Sequence, residues 1–250
     1  MAGGKTRSRL ALAIAFLAFA APFVGVAAGD AASLRIEPVL VDVPAPGTAG
    51  LLTLRNDDSA DMTVQIRVFK WSQANGKDVL EPTTDVVASP PAIKLSPGND
   101  YVARIVRTAK RATQGEESYR ILVDQLPQAQ QPTAQVNLLI RQSIPVFFGR
   151  GPDAHADVAW ALAYDGPSLI LTAKNTGARR LRVSAVTLRD DAGATISFGE
   201  GLVGYVLGHS TMTWSQPAES GALSAKGSIT LNGQGDTGPI HAVIPAPIRR

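Results

Sequence analysis

Side chains that could perform acid–base, metal or nucleophilic chemistry are few and lie far apart in the sequence. The chain contains no Cys, which excludes thiol catalysis, thiolate zinc sites and disulfide bonds. No Gly-x-Ser-x-Gly motif occurs, so the nucleophile elbow of the α/β-hydrolases is missing. The three histidines fall in separate segments, and we expect them at surface or turn positions: His155, His209 and His241. We therefore predict that the protein is not an enzyme and binds no metal.

One motif has the spacing of a dinucleotide-binding loop. Gly199-Glu-Gly-Leu-Val-Gly204 reads Gly-x-Gly-x-x-Gly, and Glu219 follows at about the distance of a ribose-binding acid. Such a loop needs a βαβ unit and a helix whose N-terminus meets the pyrophosphate. The residues that follow, 205–214, are instead β-branched and interrupted by turn residues. We interpret the glycines as a turn between strands and predict no nucleotide cofactor.

The elements that would position any site are strands. Residues 62–71 alternate apolar and polar side chains for most of their length, which is typical of a half-buried strand. Short strand patterns, separated by Gly, Pro, Asn and Asp, continue along the chain. About seven such strands fall in each half, and no long amphipathic helix pattern occurs. The sequence predicts an all-β fold of two tandem immunoglobulin-like β-sandwiches. The expected boundaries are a first domain over 33–148, a linker over 149–153, a second domain over 154–240 and a tail over 241–250.

The N-terminal segment accounts for the net charge and indicates export. Residues 1–28 hold Lys5, Arg7 and Arg9 and no acidic residue; without these three, 21 basic residues balance 21 acidic ones. The remaining chain therefore has no excess charge for nucleic acid. This segment has a basic start, then an apolar run, and then the small residues Val26-Ala27-Ala28. That order predicts a signal peptide cleaved between 28 and 32, rather than a permanent membrane anchor. We expect a periplasmic protein without stable membrane insertion.

The longest apolar strand pattern spans residues 136–148. Val136, Leu138 and Ile140 share one face, Gln142 interrupts the row, and Ile144 resumes it. A Gln- and Pro-rich connection precedes this strand, so we expect it near a sheet edge. An apolar strand at an edge is a template for pairing with another chain. This pattern predicts partner binding by β-augmentation.

Four segments together resemble a known family. They are Ser118-Tyr-Arg-Ile-Leu-Val-Asp-Gln-Leu-Pro127, residues 138–148 with their ending Ser143-Ile-Pro-Val-Phe-Phe, Ala173-Lys-Asn-Thr-Gly177, and Gly204-Tyr-Val-Leu-Gly208. Their order resembles the PapD-like periplasmic chaperones of chaperone–usher pilus and fimbrial assembly, over nearly all of the chain after Ser33. The resemblance implies a chaperone whose seventh strand completes a pilin sandwich that lacks its own last strand, before delivery to an outer-membrane usher. It implies Val136, Leu138 and Ile140 as the donor side chains, and no cofactor.

The chain departs from the better-known members at the site that holds the pilin carboxylate. Those members use an Arg on the first strand and a Lys on the seventh, and Pro38 and Pro145 stand at these positions here. The Ile-Pro-Val-Phe sequence is similar to the archaic, sigma-class branch. The resemblance favours Arg120 as the anchor of the carboxylate, because a guanidinium binds a carboxylate through two parallel hydrogen bonds. Arg104 and Arg141 are alternatives, since both are expected on strands next to Arg120.

A different class of protein remains open at this point. Tandem β-sandwiches also build secreted structural or adhesive surface proteins, which bind sugars or matrix rather than pilins. For Arg120, the other interpretation is an exposed charge on the sheet surface, which contributes about 0–1 kcal/mol to stability.

Overall fold

The computed structural model describes residues 34–113, 115–127, 139–149, 151–217, 223–224 and 226–249. Within these ranges every regular element is a β-strand, and they build two β-sandwiches in tandem. The prediction of an all-β fold with two immunoglobulin-like sandwiches is confirmed. Strands of the first sandwich end at Phe148, and strands of the second begin at Val158.

The first sandwich consists of a four-stranded and a six-stranded sheet. Its strands are β1 (Leu34–Glu37), β2 (Val41–Val43), β3 (Ala49–Asn56), β4 (Met62–Ala74), β5 (Lys77–Pro82), β6 (Val86–Ser89), β7 (Ala92–Leu95), β8 (Asp100–Arg107), β9 (Glu117–Gln125) and β10 (Arg141–Phe148). One sheet has the order β1-β3-β8-β6, and the other has the order β2-β10-β9-β4-β5, with β7 also beside β4. Alternate side chains of both sheets fill the core, which includes Leu52, Val64, Ile105, Ile121 and Val146.

The second sandwich consists of a four-stranded and a five-stranded sheet. Its strands are β11 (Val158–Asp165), β12 (Ser168–Asn175), β13 (Leu181–Asp190), β14 (Thr195–Ser197), β15 (Leu202–Val206), β16 (Thr211–Pro217), β17 (Ser228–Gln234), β18 (Pro239–Pro245) and β19 (Ile248–Arg249). The sheet orders are β16-β12-β11-β19 and β14-β13-β17-β18, with β15 beside β13. The core is again aliphatic, around Leu169, Leu171, Val186, Leu188 and Leu231.

The C-terminal residues differ from the expectation of a tail over 241–250. Most of β18 and all of β19 lie in that range; β18 pairs with β17 along its length, and β19 pairs parallel with β11. Ile244 is buried in the second core, and this apolar contact anchors the segment. Prolines at 239, 245 and 247 obscure the strand pattern in the sequence, since Pro is typical of loops.

A buried asparagine ends the equivalent strand in each sandwich. The Asn56 side-chain amide donates to the carbonyl oxygens of Ala60 and Leu95, at 2.7 and 3.0 Å. Asn175 lies at the end of β12, and its amide donates to the carbonyl oxygens of Val206 and Leu207. Each amide therefore satisfies carbonyl groups of a neighbouring loop, which would otherwise be buried without partners. Asn175 thereby fixes the end of β15, which reaches the junction between the sandwiches.

Candidate partner-binding site

The edge position of β10 is the main feature of the candidate site. Only Val146, Phe147 and Phe148 pair with β2, whereas the whole of β10 pairs with β9. Within the described residues, the backbone of residues 141–145 therefore has no strand on its second side. Unpaired N–H and C=O groups along an edge can bind an additional strand.

The expected donor row is only partly within the described residues. Val136 and Leu138 lie outside them, and β10 begins at Arg141. Ile140 precedes β10 and is partly buried; its carbonyl oxygen accepts from the Gln125 N–H at 3.0 Å. Ile144 is 4% exposed and packs in the core of the first sandwich. The expected role of Ile144 in contacting a partner does not fit this position, because the side chain points into the core and is almost entirely shielded from solvent.

Arg141 is engaged by a neighbouring carboxylate. Asp124 lies opposite Arg141 in the β9–β10 register, and its carboxylate accepts hydrogen bonds from Arg141 and from Arg67, the latter at 2.7 and 3.1 Å. Burial raises the pKa of Asp124, but the hydrogen bonds from Arg141 and Arg67 outweigh burial, and the net pKa is lowered. Both guanidinium groups are thus used to hold Asp124 ionised on the outer face of the sheet.

Arg120 lies on the same face, opposite Pro145. Its guanidinium carbon is 3.8 Å from the ring centroid of Trp71 and 5.7 Å from that of Tyr205. Among the described residues, no carboxylate accepts a hydrogen bond from Arg120. Burial lowers the pKa of Arg120, while Asp78 and Tyr205 oppose that shift. The aromatic rings of Trp71 and Tyr205 therefore pack against a partly desolvated cation.

Arg104 lies far from this position. It is on β8, which pairs with β3 and β6 in the opposite sheet of the first sandwich, and it is exposed. The expectation that Arg104 lies on a strand next to Arg120 is wrong, because β9 pairs with β4 and β10. The structure brings Arg120 and Arg141 onto one sheet and leaves Arg104 on the other.

Aromatic side chains of both sandwiches meet beside Arg120. Trp71 and Phe147 come from the first sandwich, and Tyr205 and Leu207 come from the second; all four are buried together. The ring centroids of Trp71 and Tyr205 are 5.5 Å apart with an edge-to-face geometry. Arg120 therefore lies at the junction where the outer face of β9 meets the second sandwich.

A buried ion-pair cluster crosses the same junction, and no pattern in the sequence predicts it. Arg180 of the second sandwich pairs with Glu116 and with Asp42, the latter at 3.0 Å. The backbone N–H of Arg180 also donates to Glu116 at 2.9 Å. The adjacent Arg179-Arg180 pair before β13 is the only sequence signal, and two arginines in a polar turn usually indicate an exposed position.

The tip of the β4–β5 hairpin also contacts the second sandwich. The Gln73 side chain donates to the carbonyl oxygen of Tyr205 at 2.8 Å and accepts from the N–H of Leu207 at 2.9 Å. The carbonyl oxygen of Gly76 accepts from the N–H and the hydroxyl of Thr213, at 3.2 and 3.0 Å. These bonds hold the hairpin on β15 and β16 next to the Arg120 site.

Metal-binding clusters and membrane-spanning helices are absent from the described residues. No group of three or more His, Asp or Glu side chains in this part of the chain is arranged to hold a metal ion. No helix long and apolar enough to cross a membrane occurs among these residues.

The comparisons with known proteins agree with the geometry. Residues 33–153 match the family described as "Pili and flagellar-assembly chaperone, PapD N-terminal domain". The comparison with curated proteins found no match.

Solved structures share the two-sandwich fold. One match is a chain in the CsuC–CsuE chaperone–tip adhesion subunit pre-assembly complex, from archaic chaperone–usher Csu pili of Acinetobacter baumannii. It is 26% identical to this chain, and the match covers 88% of this chain and 100% of that chain, with a TM-score of 0.65. A chain in the complex of SafA pilin with the SafB chaperone from Salmonella enterica is 21% identical, covering 86% and 98%, with a TM-score of 0.60. The E. coli chaperone DraB is 21% identical, covering 84% and 98%, with a TM-score of 0.56. Over residues 33–153, the chain is therefore similar to the PapD N-terminal domains of the pili and flagellar-assembly chaperones.

Proposed function

We propose that this protein is a periplasmic chaperone of the archaic, sigma-class branch, which binds pilin subunits by donor-strand complementation and passes them to an outer-membrane usher. The open edge of β10 over residues 141–145 carries the proposal. The PapD domain match and the likeness to a chaperone–subunit complex of archaic pili support it. They favour a chaperone over a structural or adhesive surface protein.

Donor-strand complementation uses the backbone of the edge and the apolar side chains that precede it. A client strand hydrogen-bonds to the unpaired groups of residues 141–145, and Val136, Leu138 and Ile140 fill a groove in the client. Each such side chain contributes about 1.5–3 kcal/mol on burial, before the cost of association. No nucleotide or metal takes part, because the driving force is the completion of one sandwich by another chain.

Arg120 is the proposed anchor of the client's C-terminal carboxylate. Its guanidinium has no carboxylate partner within the described residues, whereas Arg141 is paired with Asp124. Pro145 lies opposite Arg120 in the register, so the position where the better-known members have a Lys is directly beside this guanidinium. A client held at Arg120 would extend along the edge of β10 with a fixed register.

Capture of pilin subunits from the periplasm tests the proposal. The tagged chain is expressed with candidate pilin subunits from its own genome, and the captured proteins are identified by mass spectrometry. Wild type should retain a subunit, and Ile140→Arg should lose it, because a charge in a dry groove costs several kcal/mol unless it is paired. Val243→Arg is the matched control, since Val243 is 65% exposed on β18 of the second sandwich. Equal capture by Ile140→Arg, or no subunit with wild type, would contradict the proposal.

A further inference from the structure

Two guanidinium groups at the junction of the sandwiches lack an acidic partner among the described residues. One is Arg120 on β9, which stacks on Trp71. The other is Arg182 on β13, whose Nε is buried and has no hydrogen bond within the part of the chain that the structure describes. Both side chains are half-buried, and a buried N–H group without an acceptor is unfavourable, so the two guanidinium groups are suited to donate hydrogen bonds to an anion.

Tyr205 links these two cations. It lies directly opposite Arg182 in the antiparallel pairing of β13 with β15, so the two side chains share one face of the sheet. Tyr205 is 5% exposed, and the guanidinium groups of Arg120, Arg180 and Arg182 all act electrostatically on its phenol. Within the described residues the hydroxyl makes no hydrogen bond, which leaves it available as a donor to a ligand.

The nearby acidic groups are already in use. Asp236 pairs with Arg179 at 2.9 Å. Asp78 accepts hydrogen bonds from the Trp71 indole and from Gln73, both at 2.9 Å. Glu116 pairs with Arg180, which therefore contributes little net charge to the site. The donors to Asp78 are both neutral, and its carboxylate acts electrostatically on Arg120, so it offsets part of that charge. Within the described residues, the groups left without an acceptor beside Tyr205 are the guanidinium of Arg120, the Nε–H of Arg182 and the Tyr205 hydroxyl itself.

We propose that Arg120, Arg182 and Tyr205 together bind a carboxylate, and that the C-terminus of a bound client chain supplies it. The inference rests on the proposed function and extends it, because it assigns one of the two binding cations to the second sandwich. The resemblance implies a site built from the first sandwich alone. Here the client would contact both sandwiches, so the hydrogen bonds of Gln73 and Gly76 across the junction would also position the carboxylate site.

A titration with small anions tests the site without a client. N-acetylglycine represents a chain terminus, N-acetylglycinamide represents the same group without charge, and inorganic phosphate represents a competing anion. The readout is the indole N–H resonance of Trp71 in the full exported chain; the sequence has three Trp residues, and single Trp→Phe variants assign the signals. N-acetylglycine should shift the Trp71 signal saturably, and the amide should not.

Variants separate the two-sandwich site from a site at Arg120 alone. Arg182→Gln should weaken N-acetylglycine binding about tenfold, as expected for the loss of a charge-assisted hydrogen bond. Tyr205→Phe should weaken it less, because a neutral donor is lost. Arg182→Lys keeps the charge without the planar fork. It is the variant to measure if circular dichroism shows that Arg182→Gln does not fold. Arg104→Gln, on the opposite sheet of the first sandwich, is the control and should bind like wild type.

The outcomes distinguish this inference from the proposed function. Unchanged binding in both Arg182 variants would overturn it, as would an equal response to the amide or tighter binding of phosphate than of N-acetylglycine. Subunit capture is measured separately with Ile140→Arg. If wild type captures a subunit and Arg182→Gln captures it equally, the chaperone function holds and the role of Arg182 does not.

Discussion

The guanidinium carbon of Arg180 lies 3.6 Å from the ring centroid of Phe147, so a cation of the second sandwich packs on the last strand of the first. Arg180 is 2% exposed, and the same guanidinium pairs with Glu116 and Asp42. The Phe147 ring belongs to the aromatic cluster that includes Trp71 and Tyr205. The ion-pair cluster and the proposed carboxylate site therefore contact the same aromatic cluster, and we expect that a substitution in one disturbs the other.

Removing Arg180 should destabilise the protein strongly. Arg180→Ala leaves Glu116 buried without its cation, and breaking a buried ion pair in this way costs about 3–5 kcal/mol. Urea unfolding of the purified chain gives the free energy of unfolding. Arg35→Ala removes an exposed ion pair with Asp57 and should cost only about 0–1 kcal/mol. A loss below about 1 kcal/mol for Arg180→Ala would show that the cluster does not stabilise the junction.

Gly76 should be needed for contact between the hairpin and the second sandwich. Its φ is +73°, and a Cβ at this position would overlap the Thr213 side chain. Gly98 is a matched control, because it has the same φ of +73° and no atom within 4 Å of a Cβ. Both substitutions by Ala carry the backbone strain of about 1–2 kcal/mol, but only Gly76→Ala adds the overlap.

The comparison of these two variants isolates the junction. Gly76→Ala should lose more free energy of unfolding than Gly98→Ala and should also change the Trp71 fluorescence, since Trp71 packs on Tyr205 across the junction. Equal losses with unchanged fluorescence would mean that the hairpin tip can move away from Thr213 without effect.

The Asp124 ion pairs predict a dependence of stability on pH. The pKa of Asp124 is lower in the folded protein than its ordinary value, so its ionised form stabilises the fold. This stabilisation is present above the unfolded pKa of about 3.9 and is lost as the pH falls through the folded pKa. The difference in free energy of unfolding between wild type and Asp124→Asn should therefore be constant from about pH 7 to 5 and shrink below about pH 4.

Urea unfolding at several pH values measures this difference. Asp165→Asn, at the exposed last residue of β11, is the control and should differ little from wild type over the whole range. A difference between wild type and Asp124→Asn that persists unchanged at about pH 2 would show that the effect does not arise from the ionised carboxylate.

The strands were predictable from local patterns, whereas the sheets to which they belong were not. Alternation over residues 62–71 identified β4, because Val64 and Ile66 face the core while Gln65 and Arg67 face outward. Arg104 was placed beside Arg120 in error, since the pairing of β8 with β3 is a long-range relationship without a local signal. Pairing partners follow from how the whole sandwich closes, and the sequence of one strand does not specify them.

The same contrast between local patterns and long-range packing holds for the candidate site. The prediction of Arg120 as the anchor came from a resemblance that covers the sequence around it, and β9, which carries Arg120, pairs with β10. Arg182 and Tyr205 belong to the second sandwich, more than 60 residues further along the chain, and their proximity to Arg120 depends on the packing of the two sandwiches. A cation that becomes significant only through such packing has no distinguishing pattern in its own segment.

Arg120 should be required for client binding in a way that depends on its shape as well as its charge. Arg120→Ala removes the cation beside Trp71, and Arg120→Lys keeps a charge but loses the planar fork that grips a carboxylate through two hydrogen bonds. Both variants should therefore lose the subunit in periplasmic capture. Arg141→Ala should retain it, because Arg141 is committed to Asp124, which keeps Arg67 as a partner. Capture by Arg120→Ala within about twofold of wild type, together with loss in Arg141→Ala, would move the anchor to Arg141; a twofold change corresponds to only about 0.4 kcal/mol of binding free energy.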